Sequence, residues 1–201
     1  MSEIQVNKII PASGTDVTLG DSGDTFTVPS GAIITNSGTA NGFGGGKFLQ
    51  IQSYSTATFP SQTVTASMVD ISSFLVTITP SASDSKILIM VSSGMVSAGS
   101  STVSFVVEQA ISGGATTLLG GTASSNHQSA SFRYYQVSDQ NHGYGASWNY
   151  LSSPSTTSEI TYQLQWSNQE TSYLNRSYSD TDVAPYGDRT LSGMMAIEIG
   201  A

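Results

Sequence analysis

The chain has only two imidazoles, His127 and His142, and Asp139 lies close to both in sequence. With a serine hydroxyl such a set could run nucleophilic hydrolysis, the histidine serving as base and the carboxylate orienting it. Serine is so abundant that this match carries no information, and no Gly-x-Ser-x-Gly elbow is present. His127 and His142 therefore read as loop or interface residues, and no catalytic residue is assigned. Asp180, Asp182 and Asp188 gather in a turn-rich stretch with Pro185 and Gly187. Paired carboxylates of this kind could cut a glycosidic bond or collect a hard cation. The spacing does not match an EF-hand loop and Arg189 offsets part of the charge, so the stretch reads as a solvated loop. Asp16, Asp21 and Asp24 read as turn residues, though three-fold repetition around an axis would make an ion conceivable there. No metal site or cofactor is expected, and the chain is not expected to be an enzyme.

Binding is better served than catalysis. Between Ser124 and Tyr150 the polar run Ser124-Ser125-Asn126-His127-Gln128 precedes Tyr134 and Tyr135, then Asn141-His142-Gly143-Tyr144. Aromatic rings pack on sugar faces while amides bond sugar hydroxyls, so His127, Tyr134, Tyr135, His142 and Tyr144 form a candidate receptor surface. The same tyrosines could instead cap a sandwich or line a subunit interface. Asn175-Arg176-Ser177 is a formal glycosylation sequon, without consequence in a protein made in bacteria.

Composition limits what could position these groups. The formal net charge is −8 with only six Lys plus Arg, so no cation cluster is available for a nucleic-acid backbone or an anionic membrane. There are no cysteines, which removes disulfides, thiolate metal sites and thiol nucleophiles together. No apolar run is long enough for a membrane span, and Met1-Ser2-Glu3-Ile4-Gln5 lacks the features of a signal peptide. Good helix formers are scarce, and no window carries a helical apolar stripe. Val, Ile, Tyr and Phe supply the large apolar surface, which suits pleated sheet with Gly, Ser and Asn turns.

Residues 1–46 form an arm and 47–201 a domain. The arm holds a quasi-repeat of units about eight residues long, each a short β stretch closed by Ser-Gly, with Val17, Leu19, Phe26, Val28, Ile33 and Ile34 as its apolar positions. Three such units cannot bury enough area to offset the entropy of ordering them, so the arm predicts identical partners around a shared axis. It ends in Asn41-Gly42-Phe43-Gly44-Gly45-Gly46, a linker or sharp turn. From Lys47 the period is two. Leu49 and Ile51, Gln62 to Met68, Phe74 to Ile78, Val103 to Val107, Phe132 to Val137, Ala146 to Tyr150, Ile160 to Trp166, and Leu191, Gly193, Met195, Ile197 and Ile199 each predict a strand. Ile87 to Val91 is a continuous run and predicts a strand buried on both faces. Eight or nine strands over this length predict an all-β antiparallel sandwich, jelly-roll-like, with its edges covered in a symmetric oligomer. The last strand, stopping at Ala201, is expected to pack near the symmetry axis.

Ile9-Ile10-Pro11-Ala12-Ser13-Gly14-Thr15-Asp16, Leu19-Gly20-Asp21-Ser22-Gly23-Asp24-Thr25 and Val28-Pro29-Ser30-Gly31 resemble the N-terminal arm of tail-fibre proteins from aquatic bacteriophages. Thr77-Ile78-Thr79-Pro80-Ser81 with Ser85-Lys86-Ile87-Leu88-Ile89-Met90-Val91 is similar to a strand pair in their C-terminal domains. So are Tyr150-Leu151-Ser152-Ser153-Pro154-Ser155-Thr156-Thr157 and Met195-Ala196-Ile197-Glu198-Ile199-Gly200-Ala201. The resemblance implies a virion protein at the particle surface, a trimer, attached to other virion proteins through residues 1–46. Its C-terminal domain would contact a host-surface polysaccharide or protein. A capsid cement or head-decoration protein is the alternative that the same arm-plus-sandwich design serves.

Overall fold

The computed structural model describes residues 9–11, 13–18, 20–25, 27–33, 48–63, 65–99, 101–135, 141–181, 183 and 187–200. The chain divides into two compact units, Met1–Phe43 and Gly44–Ala201.

In the first unit the described residues form turns and bends and no strand. Asp24 N donates to Asp21 O (3.0 Å) and Asp21 N to Asp24 Oδ2 (2.8 Å), closing a turn around Gly23 at φ +97°. The strands expected here require ladder partners that a single copy does not supply. Val17 (43%) and Ile33 (87%) stand exposed, while Leu19, Phe26 and Ile34 lie outside the described residues.

The second unit is all-β. Its strands are β1 (Phe48–Thr56), β2 (Ser61–Gln62), β3 (Thr65–Ile78), β4 (Lys86–Ala98), β5 (Thr102–Ile111), β6 (Thr116–Leu119), β7 (Phe132–Tyr135), β8 (Tyr144–Ser152), β9 (Ile160–Asn168), β10 (Ser172–Leu174) and β11 (Ser192–Ile199). One sheet runs β1-β11-β4 with β8 on the far side of β4, and β10 and β2 continuing from the end of β4. The other runs β3-β9-β5, with β7 and β6 sharing the outer side of β5. All pairings are antiparallel. Counting the eight principal strands, this order is first-last-third-sixth over second-seventh-fourth-fifth, the jelly roll.

Alternation buries one face of each sheet against the other. Ile160, Tyr162, Leu164 and Trp166 of β9 are almost wholly buried, in one core with Ile87, Ile89 and Val91 of β4 from the other sheet. Phe105 stacks on Phe132 with centroids 4.7 Å apart and meets Trp166 at 6.2 Å, while Tyr54 meets Phe74 edge-on at 5.5 Å. Each such buried ring or aliphatic side chain stabilises the fold by roughly 1.5–3 kcal/mol.

Three strands differ from the pattern that the sequence predicts. Ile87–Val91 is buried on one face only, since Leu88 and Met90 are half-buried. The predicted segment 62–68 is split: Gln62 lies in β2, while 65–68 and 74–78 share the single strand β3, where residues 71–74 bulge out against Leu164 alone. Gln163 fills that bulge, its Nε2 donating to Ile71 O (2.9 Å) and Phe74 O (3.1 Å). In β11 the faces are reversed: Ser192, Met194, Ala196 and Glu198 point inward, while Leu191 (61%) and Met195 (38%) are exposed. The reversal stands because both polar ends of the inward row are hydrogen-bonded. Ser192 Oγ donates to Asn175 Oδ1 (2.7 Å) and accepts from Gly94 N (2.8 Å). Glu198 receives Ser81 N (2.7 Å), Ser81 Oγ (2.6 Å) and Gln50 Nε2 (2.7 Å).

Asn175 is fully buried at φ +66°, a conformation that Asn tolerates better than most residues. Its Nδ2 donates to Thr56 O (3.0 Å) and Thr58 O (2.9 Å), its Oδ1 accepts from Ser192 and Thr190, and its N donates to Met95 O (2.6 Å). Gly94 backs onto it: a Cβ there would lie 2.7 Å from Asn175 Oδ1 and 2.8 Å from Leu191 O, so only glycine fits. The buried side chain also closes the formal sequon to any glycan. Asn175→Ala removes the partner of the Thr56 and Thr58 carbonyls and of the buried Ser192 hydroxyl, and chemical denaturation should show a loss on the order of 3 kcal/mol.

Burial alone would push the Glu198 carboxyl up, but the donors from Ser81 and Gln50 outweigh it and hold the pKa at about 2. A folded pKa below the ordinary 4.5 stabilises the fold above that value, and the contribution is lost as pH falls through about 2. Thermal melts should show wild type more stable than Glu198→Gln at neutral pH, with the two curves converging toward pH 2.

Candidate functional site

A concavity lies on the outer side of the five-stranded sheet. β7 pairs with Thr102–Phe105 of β5 and β6 with Val107–Ala110, which leaves a gap at Val106. Ser131 closes the gap: its N donates to Phe105 O (2.7 Å), its Oγ accepts from Val107 N (3.0 Å), and the same Oγ donates to Leu119 O. The segment 120–131 is thereby held across the sheet, and Val106 is fully buried although it points away from the core.

Two further contacts shape the segment. Ser124 and His127 exchange backbone hydrogen bonds (3.3 and 2.9 Å) around Ser125 at φ +54°, which makes a tight reversal. Gln128 then reaches back to the sheet, accepting from Ser167 Oγ (3.1 Å) and donating to Ala66 O. Between segment and sheet lies a groove of about 560 Å³. Its floor is a hydroxyl row of Thr102, Ser104 and Ser167, its wall Asn126, His127 and Gln128, and its end Arg133, Asn168 and Gln169. Arg133 donates from Nη2 to Thr102 Oγ1 (3.1 Å) and is otherwise open to solvent.

Charge sets this groove apart from the rest of the chain. Acidic residues outnumber basic ones fourteen to six, yet among the described residues no carboxylate lines the groove. Of the three arginines, Arg176 and Arg189 are both engaged by Asp180, the first at 2.8 Å. Arg133 has no carboxylate partner among the described residues. A lining of carboxamides, hydroxyls, one imidazole and one guanidinium can bind hydroxylated or anionic groups. Among the described residues the lining includes no carboxylate to pair for glycoside cleavage or to orient His127.

No protein-family model matches the chain, and no curated protein matches it. Among solved structures it is similar to one of the Gx strain of infectious bursal disease virus, at 14% identity over 77% of this chain and 38% of that one, TM-score 0.31. A structure of the T13 particle of that virus matches at 11% identity over 76% and 38%, TM-score 0.30. Its VP2 subviral particle matches at 11% identity over 76% and 40%, TM-score 0.28. The chain spans about two fifths of the length of these structures.

The five residues expected to form one surface fall in three places. His127 lines the groove, and Tyr135, 63% exposed and paired with Thr102, stands on the same outer face two residues beyond Arg133. Tyr134 points inward and meets Tyr144 at 5.9 Å, at one end of the sandwich. Burial pushes the Tyr134 phenol up to about 12, and Tyr144 adds to the shift. His142 is exposed in the turn before β8. Asp180 is held by two guanidiniums, and Asp182 and Asp139 lie outside the described residues. Arg133, Ser104, Ser167 and Asn168 were not singled out by sequence. Alternation along Phe132-Arg133-Tyr134-Tyr135 was the available signal, since it puts Arg133 and Tyr135 on one face. Ser131→Ala leaves Val107 N–H without its partner, at a cost of about 1–3 kcal/mol. Hydrogen exchange should show the Val107 amide losing protection while the β9 amides keep theirs.

Proposed function

We propose that this chain is a structural subunit of a bacteriophage particle, self-associated as a homo-oligomer, that serves as a tail fibre or receptor-binding knob. The carrying observation is an apolar band on the outer face of the six-stranded sheet. Leu151 pairs with Leu88, Leu88 with Ile197 and Ile197 with Ile51, so one row of aliphatic side chains crosses four strands. Leu151 (47%) and Ile51 (57%) are widely exposed, and Met195 (38%) extends the band. An uncharged aliphatic row of this length on a free subunit marks a buried contact. A second copy of this chain is its occupant, because the arm has the same requirement. Val17 and Ile33 are apolar positions that one copy leaves in water, and a closed symmetric oligomer covers both sets.

The resemblance of the arm and of the 77–91 segment to tail-fibre proteins supports the placement on a phage, and a trimer is the symmetry it implies. The polar groove on the opposite sheet supports a recognition role. It stays in solvent when the apolar sheet is covered. The head-decoration reading shares the oligomer and differs in copy number.

Light scattering on the purified chain should give a multiple of the monomer mass. Ile51→Lys combined with Leu151→Lys should shift it to monomer while circular dichroism keeps its β signature. A wild-type monomer would remove the assembly reading. Labelling of particles that carry the chain should place few copies at a tail tip, and many copies over the head would turn the assignment to decoration.

A further inference from the structure

We propose that the groove between segment 120–131 and the outer face of the five-stranded sheet binds an acidic oligosaccharide, a sugar chain bearing carboxylates. This rests on the recognition role proposed above and names its ligand class.

Three observations converge on that ligand. The groove lining is dense in groups that match sugar hydroxyls: Ser104 and Ser167 on the floor, Asn126 and Gln128 on the wall. Carboxamides and hydroxyls each donate and accept, as does a sugar hydroxyl, so the pairing is reciprocal. The second observation is charge. Arg133 is an exposed guanidinium at the groove, tied to a neutral hydroxyl and to no carboxylate among the described residues, whereas Arg176 and Arg189 both contact Asp180. A guanidinium fork matches a carboxylate in a bidentate geometry, which a neutral sugar does not exploit. The third is aromatic. Tyr135 is 63% exposed on the face that carries Arg133 and lies across from Thr102 of the groove floor. Its ring offers a flat apolar surface for the C–H face of a second sugar unit. Guanidinium, amide-and-hydroxyl trough and ring together fit a chain of at least two units with an acid group at the Arg133 end.

Two alternatives meet different fates on the same surface. A phosphate-backbone ligand needs several clustered cations, and among the described residues Arg133 is the sole Lys or Arg in the groove. Sulfated sugars share the anionic chemistry and are separated by measurement.

The test uses the intact oligomer and calorimetric titration with oligo-uronates, sulfated oligosaccharides and neutral oligosaccharides of equal length. Saturable binding of the uronates, about tenfold or more tighter than the neutral series, is expected. Arg133→Gln should weaken uronate binding by about tenfold or more, as loss of a charge-assisted hydrogen bond requires, and leave the neutral series unchanged. Tyr135→Ser should weaken both series. Both side chains are exposed, so thermal melts of the two variants should coincide with wild type. Binding of no oligosaccharide in any series would overturn the proposal, as would uronate binding that Arg133→Gln leaves intact, or a preference for the sulfated series. Adsorption of labelled oligomer to host cells reports separately on the recognition role. Adsorption that survives Arg133→Gln and Tyr135→Ser keeps that role and removes the groove as its site.

Discussion

The carboxamide of Asn175 is the point on which the rest of the sandwich hangs. In a jelly roll nearly every connection crosses between sheets, so strand ends bring backbone carbonyls inward where no ladder partner continues. Asn175 joins the end of β1 through Thr56 and Thr58, the middle of β4 through Met95, and the entry of β11 through Thr190 and Ser192. Its two donors and its acceptor are all used, and the left-handed backbone at this residue turns the chain out of β10. Gly94 has lost its side chain to make room. Glu198 plays the matching part at the other end of β11, holding Gln50 of β1 and the β3–β4 turn through Ser81. β11 is thus fixed at both ends by polar contacts, and its central Met194 and Ala196 follow inward.

That fixing explains where the sequence misleads. Period-two reasoning identified the β character, the antiparallel sandwich and the inward row of β9, because Ile160, Tyr162, Leu164 and Trp166 alternate with polar neighbours. It misassigned β11, whose larger aliphatic residues face out and whose inward row carries a serine and a carboxylate. Hydrophobicity ranks faces correctly only when buried polar atoms lack partners, and here the partners of Glu198 come from residues more than a hundred positions away. The bulge in β3 was invisible for a similar reason. Gln163, which fills it, reads as a solvent-facing residue until Ile71 and Phe74 are placed against it. The groove was half legible: the polar run before Gln128 stood out, whereas Arg133 did not, since its significance comes from a sheet face shared with β5 and β9.

The two sheets divide the surface by chemistry. The outer face of one carries a row of aliphatic side chains, with Lys86 at its margin, and that of the other carries hydroxyls, amides and the Arg133 guanidinium. Gln165 adds to the polar side by donating to both Asp70 (2.8 Å) and Glu108 (3.2 Å), which holds two carboxylates away from the groove. The assembly proposed above would use the first face and leave the second in solvent.

The gap beside Val106 has an implication for how this fold changes over time. Because Ser131 and Gln128 anchor segment 120–131 through backbone and near-backbone contacts, the tip from Ser124 to His127 contributes nothing to the sandwich core. Extra residues inserted at that tip cost only the slow logarithmic entropy of a longer loop. The wall of the groove can therefore be rewritten while its floor remains a rigid sheet, so that groove chemistry and foldability are free to evolve apart.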